Sequence, residues 1–381
     1  MFHSIGLWSQ RVGELWIVYQ VTGSGVSLGL ATALRTIPSL CMGPLAGVLA
    51  DRHNRKRLLQ VTHIIKMLLA AIFWAVAKYS NPDMLTLYAL ILLVGLITTF
   101  DAPIRRGFVR VIVPSDLLSK AASLHTAVIS IGRILGPAIG GMLIVLSDTS
   151  TCFLANSVCA FFCYLLLYRI KSTELRSATN TVSSYGFGAA ISYAWGATQV
   201  RVPLIYLAIA CIAILNLEVV FPILVEETLG GGSTTFSVLL VFLSIGNLLG
   251  SLAAAEKQEP DFSFHWILLG FSLAVGLLSW APNTLLVLVA LIPIGFLSGL
   301  FLGNTNAKVQ AGVAPEYHGR IVAIYAMIFV GMRSIGSVLV GILTEVFNAQ
   351  WALRLSAFSN VFLVLIATIA MQSFRRPSSR L

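Results

Sequence analysis

Residues 47–59 read GVLADRHNRKRLL. Asp51, Arg52, His53, Arg55, Lys56 and Arg57 crowd into this one stretch, although charged residues make up only 10% of the 381 positions. A soluble domain is nearer a quarter charged. Here 57% of the residues are hydrophobic, too many for a water-facing surface. Apolar segments flank the charged stretch and recur along the chain. Most are about 20 residues long, enough to cross ~30 Å of hydrocarbon as helices. They are continuous rather than alternating, which selects helices over a closed barrel. The fold class is therefore an all-α polytopic membrane protein, and the charged stretch is a loop between two spans.

The spans are expected at 26–50, 58–78, 84–104, 121–146, 151–169, 203–224, 235–255, 264–281, 284–304, 320–345 and 352–371. A net charge of +10 could suit nucleic acid, but its placement argues for topology instead. Arg11, Arg35, Lys66, Arg133, Arg333 and Arg354 lie within helices. Lys78 alone falls in one set of loops, and the remaining Lys and Arg fall in the alternate set: 51–57, 105–120, 169–201, 257, 308–320 and the tail from 375. Such asymmetry places the basic loops and the C-terminus in the cytoplasm. The five cysteines sit in apolar spans without CxxC pairing, as buried small hydrophobes do.

Residues 1–23, MFHSIGLWSQRVGELWIVYQVTG, supply a further helix that is short and weakly hydrophobic and carries Arg11 and Glu14. It reads as the second half of a longer helix, so Met1 is expected to lie inside a longer frame. It lacks the basic start, uninterrupted apolar stretch and small-residue site of a cleavable signal. The expected organisation is a six-helix bundle over 1–169, a cytoplasmic central loop over 170–202, and a second bundle with a short basic tail over 203–381. Within the loop, 187–200 is suited to lying on the membrane surface, with Ile191 and Trp195 four residues apart. The halves echo each other. VISIGRILGPAIGG (128–141) aligns with IFVGMRSIGSVLVG (328–341), setting Arg133 opposite Arg333, Gly136 opposite Gly336 and Gly141 opposite Gly341. Parallel six-helix repeats are a transporter architecture with a site near midplane.

Four stretches carry a resemblance. Gly47-x-x-x-Asp51-Arg52-x-Asn54-Arg55-Lys56 resembles the loop signature of the major facilitator superfamily, with Asn54 where the family has glycine. Asn tolerates a left-handed turn better than other non-glycine residues. Gly132-Arg133-x-x-Gly136-Pro137-x-x-Gly140-Gly141 resembles that superfamily's antiporter motif, which the family associates with exporters. Phe100-Asp101-Ala-Pro103-Ile-Arg105-Arg106 and Pro315-Glu316-x-x-Gly319-Arg320 are similar to the drug and siderophore efflux branch, which holds macrolide and enterobactin exporters. The resemblance implies a cytoplasmic gate. Asp51 would cap the helix following Gly319-Arg320, and Arg55 would pair with Asp101, by helix-dipole attraction and charge-assisted hydrogen bonding.

A charge at mid-bilayer costs ~2.5–3.5 kcal/mol on insertion scales and needs a partner or a cavity. Arg133 and Arg333 lie about 18 Å into their helices at 1.5 Å per residue, and Arg35 is also deep. Lys66 is expected to snorkel to the interface. Glu14 and Glu218 are candidate coupling or substrate carboxylates, since the first and seventh helices line the cavity in the superfamily. A partly desolvated carboxylate can bind a proton in one state and release it in another. Glu14 could instead pair structurally with Arg11. The surplus of deep positive charge favours a substrate with acidic groups. Walker loops, clustered metal ligands and nucleophile elbows are absent from the sequence, so neither an enzyme nor a cofactor is expected.

The expected function is proton-coupled export of small amphipathic molecules of drug, macrolide or siderophore type. The partners would be substrate, protons and lipid, with an outer-membrane efflux component as a further candidate. The expected location is a bacterial cytoplasmic (inner) membrane. An uptake permease and a non-transporting membrane remnant are the alternatives.

Overall fold

The computed structural model describes residues 1–114, 117–170, 187–256, 264–314 and 316–375. Helix α1 (Phe2–Thr22) stops at Gly23, whose left-handed backbone (φ 60) directs its N–H to the Tyr19 carbonyl. Ser24 then caps α2 (Gly25–Arg52) by accepting from the Ser27 N–H, so two short residues turn the chain. The charged stretch that opened the reading is equally tight. It closes α2 and starts α3 (Arg55–Tyr79) through His53 and Asn54. Asn54 is extended (φ −62, ψ 108) and its side chain accepts from the Arg57 N–H. The residue that replaces the family glycine therefore serves as a helix N-cap, not as the expected left-handed turn. Asn is among the best residues for that position.

Helices α4 (Met84–Ile112), α5 (Leu118–Leu146) and α6 (Thr151–Arg169) complete the first half. A short α7 (Phe187–Gly196) precedes α8 (Thr198–Ala213) and α9 (Leu217–Ile223), which runs into a π-turn over Leu224–Thr228. Helices α10 (Ser233–Glu256), α11 (Phe264–Leu278), α12 (Thr284–Ala311), α13 (His318–Val346) and α14 (Ala349–Arg375) follow. Ten of the described segments are long and apolar enough to cross a membrane, with Phe264–Leu278 as a shorter apolar helix. Side chains such as Met142, Leu146, Phe362 and Ile369 stay exposed, as lipid-facing positions do.

The expected span 203–224 is broken. Ile214 and Leu215 both return their N–H groups to the Ala210 carbonyl, and the Asn216 amide donates to the Cys211 carbonyl at 2.7 Å. A side chain that competes for backbone carbonyls loosens a helix, and Pro222 removes one more donor downstream. The continuous apolar sequence hides this break.

By contacts the chain forms two units: Met1–Val182 with Val225–Val241, and Ser183–Leu224 with Phe242–Leu381. In the first unit α1 packs on α5 and α6, α2 on α4, and α3 on α6 and α4. Gly132, Gly136 and Gly140 of the antiporter motif form the groove that holds α1, whereas Gly141 faces Ser237 of α10. A Cβ at Gly136 would lie 3.1 Å from the Ile5 carbonyl, and one at Gly140 would lie 3.2 Å from that of Ser9. On the other side, a Cβ at Gly6 would meet Cys159 Cβ at 2.9 Å. Helix α1 is 21 residues long, about the length of a span at 1.5 Å per residue. Its low hydropathy follows from this environment: Ser4, Ser9, Gln10, Arg11 and Glu14 are buried among helices, not exposed to lipid. Valine at position 136 should therefore lower the thermal midpoint by several degrees in detergent, since overpacking costs about 1–3 kcal/mol. Gly47→Ala serves as the control and should leave the midpoint unchanged, because a Cβ there meets nothing within 4 Å.

In the second unit α8 packs on α13 and α12, and α11 on α14 and α12. Gly246 of α10 and Gly295 of α12 approach until a Cβ on either would sit 3.0 Å from the other's Cα. Helix α7 buries Ala190 and Ala194 while Ile191 and Trp195 stay exposed. Tyr193 stacks on Tyr317 at 4.6 Å, and its hydroxyl donates to the Gly312 carbonyl while accepting from the Ala314 N–H.

Candidate functional site

The gate candidates sit at the α2–α3 turn. Gly47 lies in α2, Arg52 is exposed at its end, and Asp51 lies in its last turn with a side chain outside the described residues. Arg55 Nε donates to the Ala50 carbonyl (3.2 Å) and Nη1 to that of Gly107 (3.4 Å). Lys56 Nζ donates to the Ile170 carbonyl at the end of α6 (2.5 Å). These bases are thus held by helix C-terminal carbonyls and by α4, as the helix dipole favours at α2 and α6. The pairing expected between Arg55 and Asp101 is replaced by another. Asp101, wholly buried, lies about a turn and a half before Gly107. Its Oδ2 is 2.9 Å from Lys66 Nζ, 3.3 Å from Arg105 Nε and 3.7 Å from His3 Nε2.

This cluster corrects the expectation for Lys66 as well, since its side chain is buried against Asp101 and does not snorkel. Thr62 donates to Asp101 Oδ1 at 3.3 Å, and the His3 and His63 rings lie 5.6 Å apart. Sequence reasoning missed the assembly because its members are far apart in the chain. Two local signals point to it: a lysine in an apolar helix needs an acid, and Thr62, His63 and Lys66 share one helical face.

The candidate coupling carboxylates are each paired with arginine. Glu14 is 1% exposed and takes both carboxylate oxygens to Arg35 Nη1. Gln10 Nε2 donates to Glu14 Oε1 at 2.8 Å. Arg11 Nη1 stands 3.8 Å from Oε2, and its Nη2 donates to Thr32 at 2.9 Å. The expected neighbour Arg11 is close to Glu14, and Arg35 from α2 binds it more tightly. Two arginines share this one carboxylate.

In the second unit, Glu218 and Arg333, expected as separate candidates, form one site at the break between α8 and α9. Arg333 Nη2 donates to Glu218 Oε1 at 3.1 Å, and Nε to the Leu215 carbonyl at 3.1 Å. The broken helix supplies the freed carbonyl and the start of α9 supplies the acid. This pair is more open than Glu14, with side-chain exposures of 25% and 13%. Gly336 of α13 makes the close approach, since a Cβ there would meet Asn216 Nδ2 at 2.5 Å. In the first unit Arg133 instead sits 5.0 Å from the Trp8 ring centroid, a cation–π contact. Gly132, Gly136, Pro137, Gly140 and Gly141 belong to α5 beside it. The two repeats thus place an arginine from the matching helix against α1 in one unit and α8–α9 in the other. No group of His, Cys, Asp and Glu fit to hold a metal occurs among the described residues.

Residues 1–380 match a family described as transmembrane secretion effectors, one of the major facilitator families. The chain is 23% identical to the staphyloferrin A transporter of Staphylococcus aureus, covering 95% of this chain and 92% of that protein. It is 25% identical to the multidrug efflux pump Tap of Mycolicibacterium fortuitum (87% and 83% covered). Identity to macrolide efflux protein A of Streptococcus pyogenes is 20% (88% and 86% covered). Among solved structures it is similar to the nucleoside transporter NupG, with TM-score 0.73, 15% identity and 98% and 97% of the chains covered. A bacterial homologue of the lysosomal transporter Spinster gives TM-score 0.74 at 13% identity, covering 97% and 95%.

Proposed function

Because this chain belongs to the transmembrane secretion effector family of major facilitator transporters, we propose that it exports a small amphipathic molecule across a bacterial cytoplasmic membrane in exchange for protons. It is a multi-pass membrane transporter of the drug and siderophore efflux branch and not an enzyme. The finer reading rests above all on one observation: each unit pairs a carboxylate with an arginine, Glu14 with Arg35 in the first and Glu218 with Arg333 in the second. At such a carboxylate a proton and a hydrogen-bond-donating group of the substrate exclude one another, because only the ionised form can hold the donor. Substrate and proton then compete for one site, which is what exchange requires. The units alternate in access around it, the gate turn closes the cytoplasmic side, and the C-terminus stays in the cytoplasm. Siderophores and macrolides are the first substrate classes to test, as they are named for the relatives.

Asp51 carries the gate in this reading. Asp51→Asn keeps the size and removes the charge that would face a helix N-terminus. It should nearly abolish export from cells while surface labelling shows the protein inserted at its usual level. Export at the wild-type rate would remove Asp51 from the gate.

A further inference from the structure

The Asp101 cluster has no part in the exchange described above, yet it is the most heavily charged buried assembly of the first unit. Among the described residues, the charged and titratable groups facing His3 are Asp101 and Arg105 from α4, Lys66 and His63 from α3, and Cys163 from α6. One carboxylate meets two basic side chains, and with both charged the protonation of His3 decides whether the cluster holds one surplus positive charge or two. His3 and Lys66 also line a small cavity with Gln10, Thr98 and Asn156, which leaves about 10 Å³ for the centre of a water, roughly one molecule. Gln10 closes the far side. Its amide donates to Glu14 Oε1 at 2.8 Å, and its carbonyl accepts from Asn156. One side chain therefore lies between the His3–Lys66 cavity and Glu14.

We propose that His3 and Asp101 form a second proton-binding site in the first unit, whose occupancy is transmitted to Glu14 through the cavity and Gln10. This rests on the proton-exchange reading and adds a residue to it. The step is a simple acid–base transfer. Hydronium gives its proton to the free imidazole nitrogen of His3, an N–H bond forming as the O–H bond breaks, and water leaves. Protonated His3 then competes with Lys66 for Asp101, and Lys66 turns its ammonium toward the cavity. The extra positive charge acts on Glu14 through the Gln10 amide that donates to its carboxylate.

The test is a titration of the full chain in nanodiscs, labelled with ¹⁵N at its six histidines, and needs neither substrate nor gradient. One imidazole, identified by its loss in His3→Gln, should titrate across the pH series. Asp101→Asn should move that midpoint by more than about one pH unit, a tenfold change in proton affinity. Gln10→Met, which removes no charge, should move it by a few tenths of a unit. A flat His3 signal in the wild-type chain overturns the site, and a midpoint unmoved by Gln10→Met overturns the link to Glu14. A flat titration beside gradient-driven export would discard the site and spare the exchange. Export that ignores the gradient would discard the exchange whatever His3 does.

Discussion

Glu14→Gln is expected to abolish export entirely and to destabilise the protein, the largest effect of any single substitution here. Glu14 is 1% exposed and is the acid for Arg35, with Arg11 3.8 Å away. Removing its charge leaves buried guanidinium groups without compensation, which costs about 3–5 kcal/mol in comparable buried pairs. Lost transport alone could report a failure to fold, so the double variant Glu14→Gln/Arg35→Gln separates the causes. With both charges gone, the thermal midpoint should recover most of its loss, while gradient-driven export should remain absent. Export restored in the double variant would make the pair a structural strut and nothing more.

Glu218→Gln should act differently, because its surroundings differ. The Glu218–Arg333 pair is partly open, and Arg333 is also held by the Leu215 carbonyl. Glutamine can still accept from Arg333, so the site should stay assembled and the protein stable. What it cannot do is gain and lose a proton. Export down a substrate gradient should survive, whereas uphill export should disappear and the rate should no longer respond to a protonophore. Inverted vesicles loaded at fixed pH, with and without an imposed gradient, would show this directly. Gradient dependence retained in Glu218→Gln would place coupling elsewhere, with Glu14 as the first alternative.

Much of the architecture could be read from the sequence because its signals are local. Apolar runs bounded by Asp83, Asn283 and the Gly23-Ser24 turn mark helix ends directly. The alignment of Arg133 with Arg333 sets the two arginines at matching positions of α5 and α13. The small-residue spacing of the antiporter motif marks a close helix approach, and Gly132, Gly136 and Gly140 line the α1 groove. Other features left no local trace. The α8–α9 break depends on one amide, Asn216, within an otherwise apolar run, and averaging over the run conceals it. The Lys66–Asp101 pair joins two consecutive helices, α3 and α4, at positions that no local pattern links, so pattern reading assigned each residue a different partner or none. Asn54 was judged against the glycine of the family when its local chemistry, an Asn followed by a helix, already named it as a cap.

The two repeats also diverge in a way that bears on mechanism. Glu14 is enclosed by Gln10, Arg11 and Arg35, whereas Glu218 sits at a helix break with a freed carbonyl beside it. A carboxylate that exchanges partners during each cycle needs access, which favours Glu218 for the exchanging role. An enclosed one suits holding charge in reserve, which favours Glu14 for receiving the state of its neighbours. That division accounts for the opposite phenotypes expected of the two glutamine variants.

Proton-driven export is the claim on which the rest depends, and retention in pump-deficient cells tests it most directly. Cells expressing this chain would be loaded separately with a macrolide, a siderophore and a cationic dye, and retention followed with and without a protonophore. Lower retention of the macrolide or the siderophore, restored by the protonophore, is the expected result. Unchanged retention of all three with the protein confirmed in the membrane, or lowered retention that the protonophore leaves untouched, would contradict it.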